Sequence, residues 1–255
     1  MKLQFASDLH LEFPENREFI QNFPLRPEGD ILILAGDIVT LYQMHDHTDF
    51  LNYISDHFEN TYWLPGNHEY YHSDISEING QNGFINEKIK ENIFLVNNTS
   101  VVTGSLRLVF STLWTHVSPG VRFFVESGYP DFSHIVQKSK LLNVDNYNLL
   151  HEESLSFLKK ELEQGKNVST VVATHHMPTF RNYPEEFRGN IFNEVFAAEL
   201  GDLIEAAGPE YWIFGHHHSC RDEFRISRTL LTANPLGYIM YNEQKGFDAG
   251  KILEI

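Results

Sequence analysis

A single cysteine, Cys220, stands among these 255 residues. That excludes an intrachain disulfide and any cysteine-based zinc cluster. Basic residues are scarce too: 19 Lys and Arg face 35 Asp and Glu, a formal charge of −16. Proteins that hold nucleic acid over a broad surface present a basic face, so a general nucleic-acid surface is excluded. No apolar run is long enough to span a bilayer. The chain enters its first strand directly, without the n-region and h-region of a signal peptide. No Pro/Gly/Ser-rich linker, internal repeat or low-complexity tract divides it. These absences together predict one domain over residues 1–255, cytoplasmic and without a membrane partner; they leave the oligomeric state open.

What is present is ample for a core: 42% hydrophobic and 13% aromatic residues. The 14 histidines exceed what a core needs, and imidazole is a common ligand of first-row metals. Several of them fall in a pattern. Five short apolar runs each end in a loop carrying ligand-type side chains. Leu3 to Ala6 leads into Asp8-Leu9-His10, and Ile31 to Ala35 into Gly36-Asp37. Tyr62-Trp63 leads into Leu64-Pro65-Gly66-Asn67-His68-Glu69. Val171 to Ala173 leads into Thr174-His175-His176, and Trp212 to Phe214 into Gly215-His216-His217-His218. In open α/β sheets, ligands sit beyond the carboxyl ends of strands, so the five loops are expected to meet at one metal site. Asp8 and His10, like His216 and His218, are two apart, and an extended segment turns such pairs to one side. The set offers three or four oxygen and nitrogen donors to each of two divalent ions and no sulfur, which suits Mn, Fe or Zn better than Ca. Two such ions outweigh Asp8 and Asp37, so an acidic chain can still hold an anion-seeking pocket.

Between these loops the pattern predicts helices over Asp49 to Phe58, Val144 to Glu163 (stopped by Gly165) and Phe192 to Ala207 (stopped by Gly208-Pro209). Ser73 to Lys90 reads as a helix broken near Gly80 and Gly83. Ile93 to Val96, Val101-Val102, Leu106 to Thr112, Thr229 to Thr232 and a segment near Lys251 to Ile255 read as strands, with an antiparallel pair turning at Gly104. Residues 114–140 carry Trp114, Phe123, Phe124, Tyr129, Asp131 and Phe132 without a clean period. They read either as an aromatic insertion lying as a lid over the site or as a loop packed on its own aromatics. Strands alternating with helices, some of them antiparallel, give an α/β fold with mixed sheets.

The order Asp8-x-His10, Gly36-Asp37, Gly66-Asn67-His68-Glu69, His175 and Gly215-His216-x-His218 resembles the calcineurin-like metallophosphoesterases from residue 3 to about residue 218. The resemblance implies a four-layer sandwich, two facing mixed β-sheets flanked by α-helices. It implies a first metal on Asp8, His10 and His218, a second on Asn67, His175 and His216, and Asp37 bridging them. It further implies hydrolysis of a small phosphomonoester or phosphodiester by a hydroxide held between the metals. His68, beside Asn67, would act at the phosphoryl group or protonate the leaving oxygen. Asp37-Ile38-Val39-Thr40 lacks the acidic and basic residues of the protein Ser/Thr phosphatases, including the acid that orients their catalytic imidazole. His10 and Thr40 both depart from the purple acid phosphatases. Thr174 to Pro178 and Asn234-Pro235-x-Gly237-Tyr238 look like a branch of small bacterial phosphoesterases.

Two other classes fit parts of the chain. A metal-binding scaffold without activity would share the fold but is expected to have lost ligands. His68-Glu69-x-x-His72 satisfies the zincin pattern, yet Pro65-Gly66 leaves its helix no room to start earlier, and a protease leaves four blocks unexplained. His176 and His217 read as structural or pocket-lining, His45, His47, His57, His72 and His151 as ordinary surface or half-buried histidines, and Cys220 as a small core residue.

Overall fold

The structure, a computed structural model, describes residues 1–164, 168–219 and 222–255. Among the described residues, fourteen strands run in chain order as β1 (Lys2–Ala6), β2 (Ile31–Ala35), β3 (Asn60–Leu64), β4 (Ile85–Lys90), β5 (Ile93–Asn97), β6 (Thr99–Thr103), β7 (Leu106–Ser111), β8 (Val136–Gln137), β9 (Lys140–Leu141), β10 (Ser169–Thr174), β11 (Tyr211–Phe214), β12 (Phe224–Ile226), β13 (Thr229–Ala233) and β14 (Ile252–Glu254). The helices are α1 (Pro14–Asn22), α2 (Thr48–His57), α3 (Ile75–Ile78), α4 (Arg122–Gly128), α5 (Asp131–His134), α6 (Val144–Gln164) and α7 (Gly201–Ala207).

Two six-stranded sheets result, ordered β14-β1-β2-β3-β5-β4 and β12-β13-β11-β10-β7-β6, with β8 and β9 forming a small hairpin. Each sheet has four parallel central strands and an antiparallel strand on either edge. Side-chain alternation explains the layering. Ile31, Ile33 and Ala35 of β2 meet Phe110, Val171, Ala173 and Ile213 of the other sheet, while Leu32 and Leu34 turn outward to Ile20, Leu51 and Ile54. On the far side Val172, Trp212 and Leu231 pack on Leu158, Leu162 and Ile204 of α6 and α7. Strands buried on both faces read as continuous apolar runs, which is why β2 and β11 are visible in the sequence. This is the expected four-layer α/β arrangement of two facing mixed sheets flanked by helices.

Three local expectations need correction. The segment expected as a broken helix holds the single turn α3 and a 3₁₀ turn at Gln81–Gly83, and residues 85–90 form edge strand β4 against β5. Gly83 at φ +70° turns the chain there, and β4 exposes its middle residues, so its apolar positions gave a poor strand signal. The helix expected from Phe192 is confined to Gly201–Ala207. Residues 196–198 instead pair with Met177, whose N–H donates to Phe196 O and whose O accepts from Ala198 N–H. Tertiary pairing thus overrides the helical period. Gly208 ends that helix as expected, in the left-handed region at φ +55°. Third, Asp8 and His10 lie beyond β1 rather than in an extended strand, at φ +55° and +48°. The expected stop at Gly165 and the Cys220 position lie outside the described residues.

Candidate metal centre

Parallel central strands bring the carboxyl ends of β1, β2, β3, β10 and β11 to one edge of the sandwich, and all five ligand-bearing loops meet there. Within each sheet, the backbones of neighbouring loops are tied to one another. Asp8 N–H donates to Gly36 O and His10 N–H to Asp37 O, each at 2.9 Å, while Gly215 N–H reaches His175 O at 2.9 Å. These bonds hold Asp8, His10, Asp37 (φ +55°) and His216 (φ +69°) in left-handed backbone conformations. Such conformations cost about 1–3 kcal/mol each and persist where surrounding structure over-determines them. Gly36 has φ +87°, and a Cβ there would run into the His175 ring, so the two sheets approach this closely only with glycine at that position.

The loops bring together every residue the sequence singles out. Asp8, His10 and His218 place one donor atom each within 4.8 Å of one another, and Asp37, His175 and His216 do the same beside them. Asn67 Oδ1 lies 3.2 Å from His175 Nε2, completing the second group. The orientation of each ring is set from behind. His10 Nδ1–H donates to Glu12 at 3.1 Å, and His218 Nδ1–H to Glu243 at 2.6 Å. That leaves the two Nε2 atoms facing each other at 3.2 Å. In the second group His175 Nδ1–H donates to Ala35 O at 3.0 Å, and Tyr129 OH sits 3.2 Å from His216 Nε2. Here His175 Nε2 and His216 Nδ1 face each other at 3.1 Å.

Each facing pair of nitrogens has room for one proton between two lone pairs, and the electrostatics put it there. Burial opposes charge on His175 and His218. The Asp37 charge overcomes it for His175 and the Asp8 hydrogen bond for His218, and both rings are raised to about 9. Their partners His216 and His10 are lowered, first by burial and then by neighbouring histidines. Asp37, although buried, is held well below the ordinary carboxylate range by His175 and His68. The pocket draws positive charge to two places, and a divalent cation fits each better than a proton because every nitrogen and oxygen there is then an acceptor.

This has a measurable consequence. In protein stripped of divalent ions, the folded-state values of His175 and His218 exceed their ordinary 6.5. Their stabilising contribution is therefore complete below about pH 6.5 and is lost as the pH rises through about 9. Melting temperatures recorded in chelator are expected to fall across that window, and Mn²⁺ loading is expected to flatten the fall. A melting temperature that rises from pH 6.5 to 9 in chelator would contradict the assignment.

His68 lies at the lip of the pocket. Its Nδ1–H donates to Glu12 Oε1 at 2.8 Å, and its Nε2 is 3.4 Å from Tyr238 OH and 3.9 Å from Asp37 Oδ2. Burial opposes its charge, but Asp37 and Glu12 raise it to about 9. Glu12 is therefore the acidic partner that the segment after Asp37 lacks, and sequence reading missed it. The D-x-H-x-E spacing of Asp8, His10 and Glu12 was the available signal. Glu12 is also within reach of His10 and His68 as a third acidic-imidazole group. Both Nδ1–H bonds account for that closeness without an ion.

The zincin reading fails on geometry. Residues His68–Tyr70 form one tight turn, and His72 lies beyond it, exposed, at φ +63°. Glu69 is consumed structurally: its two oxygens accept from Asp37 N–H, Gly66 N–H, Ile38 N–H and the Trp63 indole at 2.6–2.9 Å. His176 is buried against His216, with Nδ1–H donating to Thr112 O, and His217 packs its ring on Tyr183, Phe187 and Phe196. Of the other histidines, His47 is buried and His57 and His72 are exposed. The pocket opens into a cavity of about 430 Å³ walled by Tyr129, Tyr183, Phe187, Phe192 and Phe196. In residues 114–140, Trp114 and Phe132 are buried in a cluster with Tyr147, while Tyr129 and Pro130 line the cavity. Asp131, also missed, is buried behind Asn67.

Comparison with known proteins gives the family and the fold. An uncharacterized protein of Acanthamoeba polyphaga mimivirus is 26% identical, over 99% of this chain and 96% of its own. Phosphopantetheinyl hydrolase from Mycobacterium tuberculosis superimposes with a TM-score of 0.69 at 13% identity, covering 99% of this chain and 95% of that one, and so shares the fold. Among the described residues no helix is long and apolar enough to cross a membrane. The sequence profile of the calcineurin-like phosphoesterases matches residues 1–220, and this chain belongs to that family as a metal-dependent phosphoric ester hydrolase.

Proposed function

We propose that the chain holds two divalent ions, Asp8, His10 and His218 around the first and Asn67, His175 and His216 around the second, with Asp37 between them. The observation that carries this reading is the two facing nitrogen pairs, at 3.2 and 3.1 Å, in each of which the nitrogens behind are already taken. Oxygen and nitrogen donors without sulfur suit Mn, Fe or Zn. Divalent ions so placed supply a water-derived nucleophile at neutral pH and Lewis-acid charge for the phosphoryl oxygens.

The chain's own residues supply the rest. Asn67 and His68 form the catalytic lip, and His68 holds a proton on Nε2 for the leaving oxygen while Glu12 fixes its ring. The aromatic walls exclude water and offer faces to an apolar or planar substituent. Residues 114–140 act as one wall of a single domain spanning 1–255, confining the site to small substrates. Among the described lining residues there are two carboxylates, Asp37 and Glu243, and no lysine or arginine. That favours a phosphodiester, which carries one negative charge and a second ester group, over a phosphomonoester.

The test compares an aryl phosphodiester with the matching monoester on protein stripped and reloaded with Mn²⁺. A phosphopantetheine-bearing diester is a natural third probe, since the Mycobacterium tuberculosis protein of this fold is named for that group. Faster diester cleavage supports the substrate reading, and faster monoester cleavage overturns it. Two bound ions without turnover of any phosphate ester would favour the inactive scaffold.

A further inference from the structure

We infer that Asp131 is the positioning residue of the second ion: it fixes which end of the Asn67 amide faces the paired imidazoles. The inference rests on the two-ion reading above. Asp131 opens α5, far from Asn67 in sequence, and its side chain is fully buried. Its Oδ1 accepts from Asn67 Nδ2 at 2.8 Å and from Tyr71 OH at 2.8 Å. Its Oδ2 is buried with no hydrogen-bond partner. A buried carboxylate with one oxygen left bare is costly, and a residue needed only to fill space would not be one.

The chemistry of the amide says what the carboxylate does. Asn67 offers a donor end and an acceptor end, and only the acceptor end serves a cation. With Nδ2 tied to Asp131 and 3.3 Å from Tyr71 OH, Oδ1 is turned to His175 Nε2 at 3.2 Å. A flipped amide would set its oxygen against the Asp131 carboxylate and aim its NH₂ group at the ion. Tyr71 adds rigidity, since its ring stacks on His68 at 4.2 Å and 26° while its hydroxyl meets Asp131. Asp131 itself is anchored by its neighbour Phe132, which is buried in the cluster of Val125, Ile135 and Tyr147. The segment that walls the cavity through Tyr129 and Pro130 therefore also orients a ligand of the second ion.

The test is Mn²⁺ binding, followed by titration calorimetry and by the electron paramagnetic resonance signal of a coupled pair. It is run on the full chain and on Asn67→Ala, Asp131→Ala, Asp131→Ser and Asp131→Asn. The wild type is expected to bind two ions and Asn67→Ala to lose the second. Asp131→Ala is expected to weaken the second ion about 10- to 100-fold, the range for a residue that orients a ligand, and to leave the first in place. Asp131→Asn, which keeps an acceptor oxygen for Asn67, is expected to recover most of the coupled signal. Asp131→Ser retracts the acceptor in a smaller change and serves if the alanine variant does not fold. If Asn67→Ala loses an ion while the folded Asp131 variants keep both at wild-type affinity, the positioning role is overturned. It is overturned as well if Asp131→Ala and Asp131→Asn lose the second ion equally. A wild type that binds fewer than two ions, or an Asn67→Ala variant that keeps both, overturns the two-ion reading instead.

Discussion

Asp37→Asn is expected to weaken both ions in the folded protein, the one beside His10 most. The side chain is buried between the two pockets, with Oδ1 3.3 Å from His175 Nε2 and Oδ2 3.8 Å from His10 Nε2. A carboxylate serves both sides because its oxygens are equivalent acceptors. An amide has one oxygen, so whichever pocket keeps it, the other meets an NH₂ group. Oδ1 also accepts the His68 N–H at 2.9 Å, which favours the amide oxygen on the His175 side and costs the His10 side its charge first. The loss should exceed the roughly 10- to 100-fold that follows from disturbing an outer partner. The fold survives because Glu69, not the Asp37 carboxylate, receives the N–H groups of Asp37, Ile38 and Gly66. Elemental analysis after desalting, beside a thermal melt in chelator, checks both halves. Unchanged content of both ions would refute the bridging role.

His68→Ala has the opposite signature: both ions stay and rate is lost. General-acid help is worth about 10²–10⁴-fold, and it matters most when the departing oxygen is a poor leaving group. An alkyl ester should lose most of that factor, whereas a nitrophenyl ester should lose little. Glu12→Gln tests the same machinery more gently. One carboxylate oxygen now holds both His10 Nδ1–H and His68 Nδ1–H, at 3.1 and 2.8 Å. An amide keeps an acceptor but not the charge that favours protonated His68, so the leaving-group dependence should persist in reduced form. Equal losses for good and poor leaving groups in His68→Ala would rule out proton donation by this ring.

How much of this was legible in the chain follows from the physics of each part. The strands carrying the site are buried on both faces, so Ile31 to Ala35 and Trp212 to Phe214 announce themselves as apolar runs ending in polar loops. The donors were readable for the same reason, being fixed within a few residues of those ends. What supports them was harder to read. Asp131 and Glu243 reach Asn67 and His218 from distant segments with no period or spacing to mark them. Glu12 lay in plain view at the spacing that already linked Asp8 and His10. Edge strand β4 and the turns of residues 192–200 were misread as helix, because tertiary pairing rather than local pattern sets their shape.

The most direct test is anomalous diffraction at the manganese edge from crystals of the Mn²⁺-loaded protein. Two peaks are predicted, about 3.5–4 Å apart as in two-metal hydrolases. One should be bounded by Asp8, His10 and His218, the other by Asn67, His175 and His216, with an oxygen of Asp37 against each. A single peak at full loading, or one seated among His10, Glu12 and His68, would contradict the account.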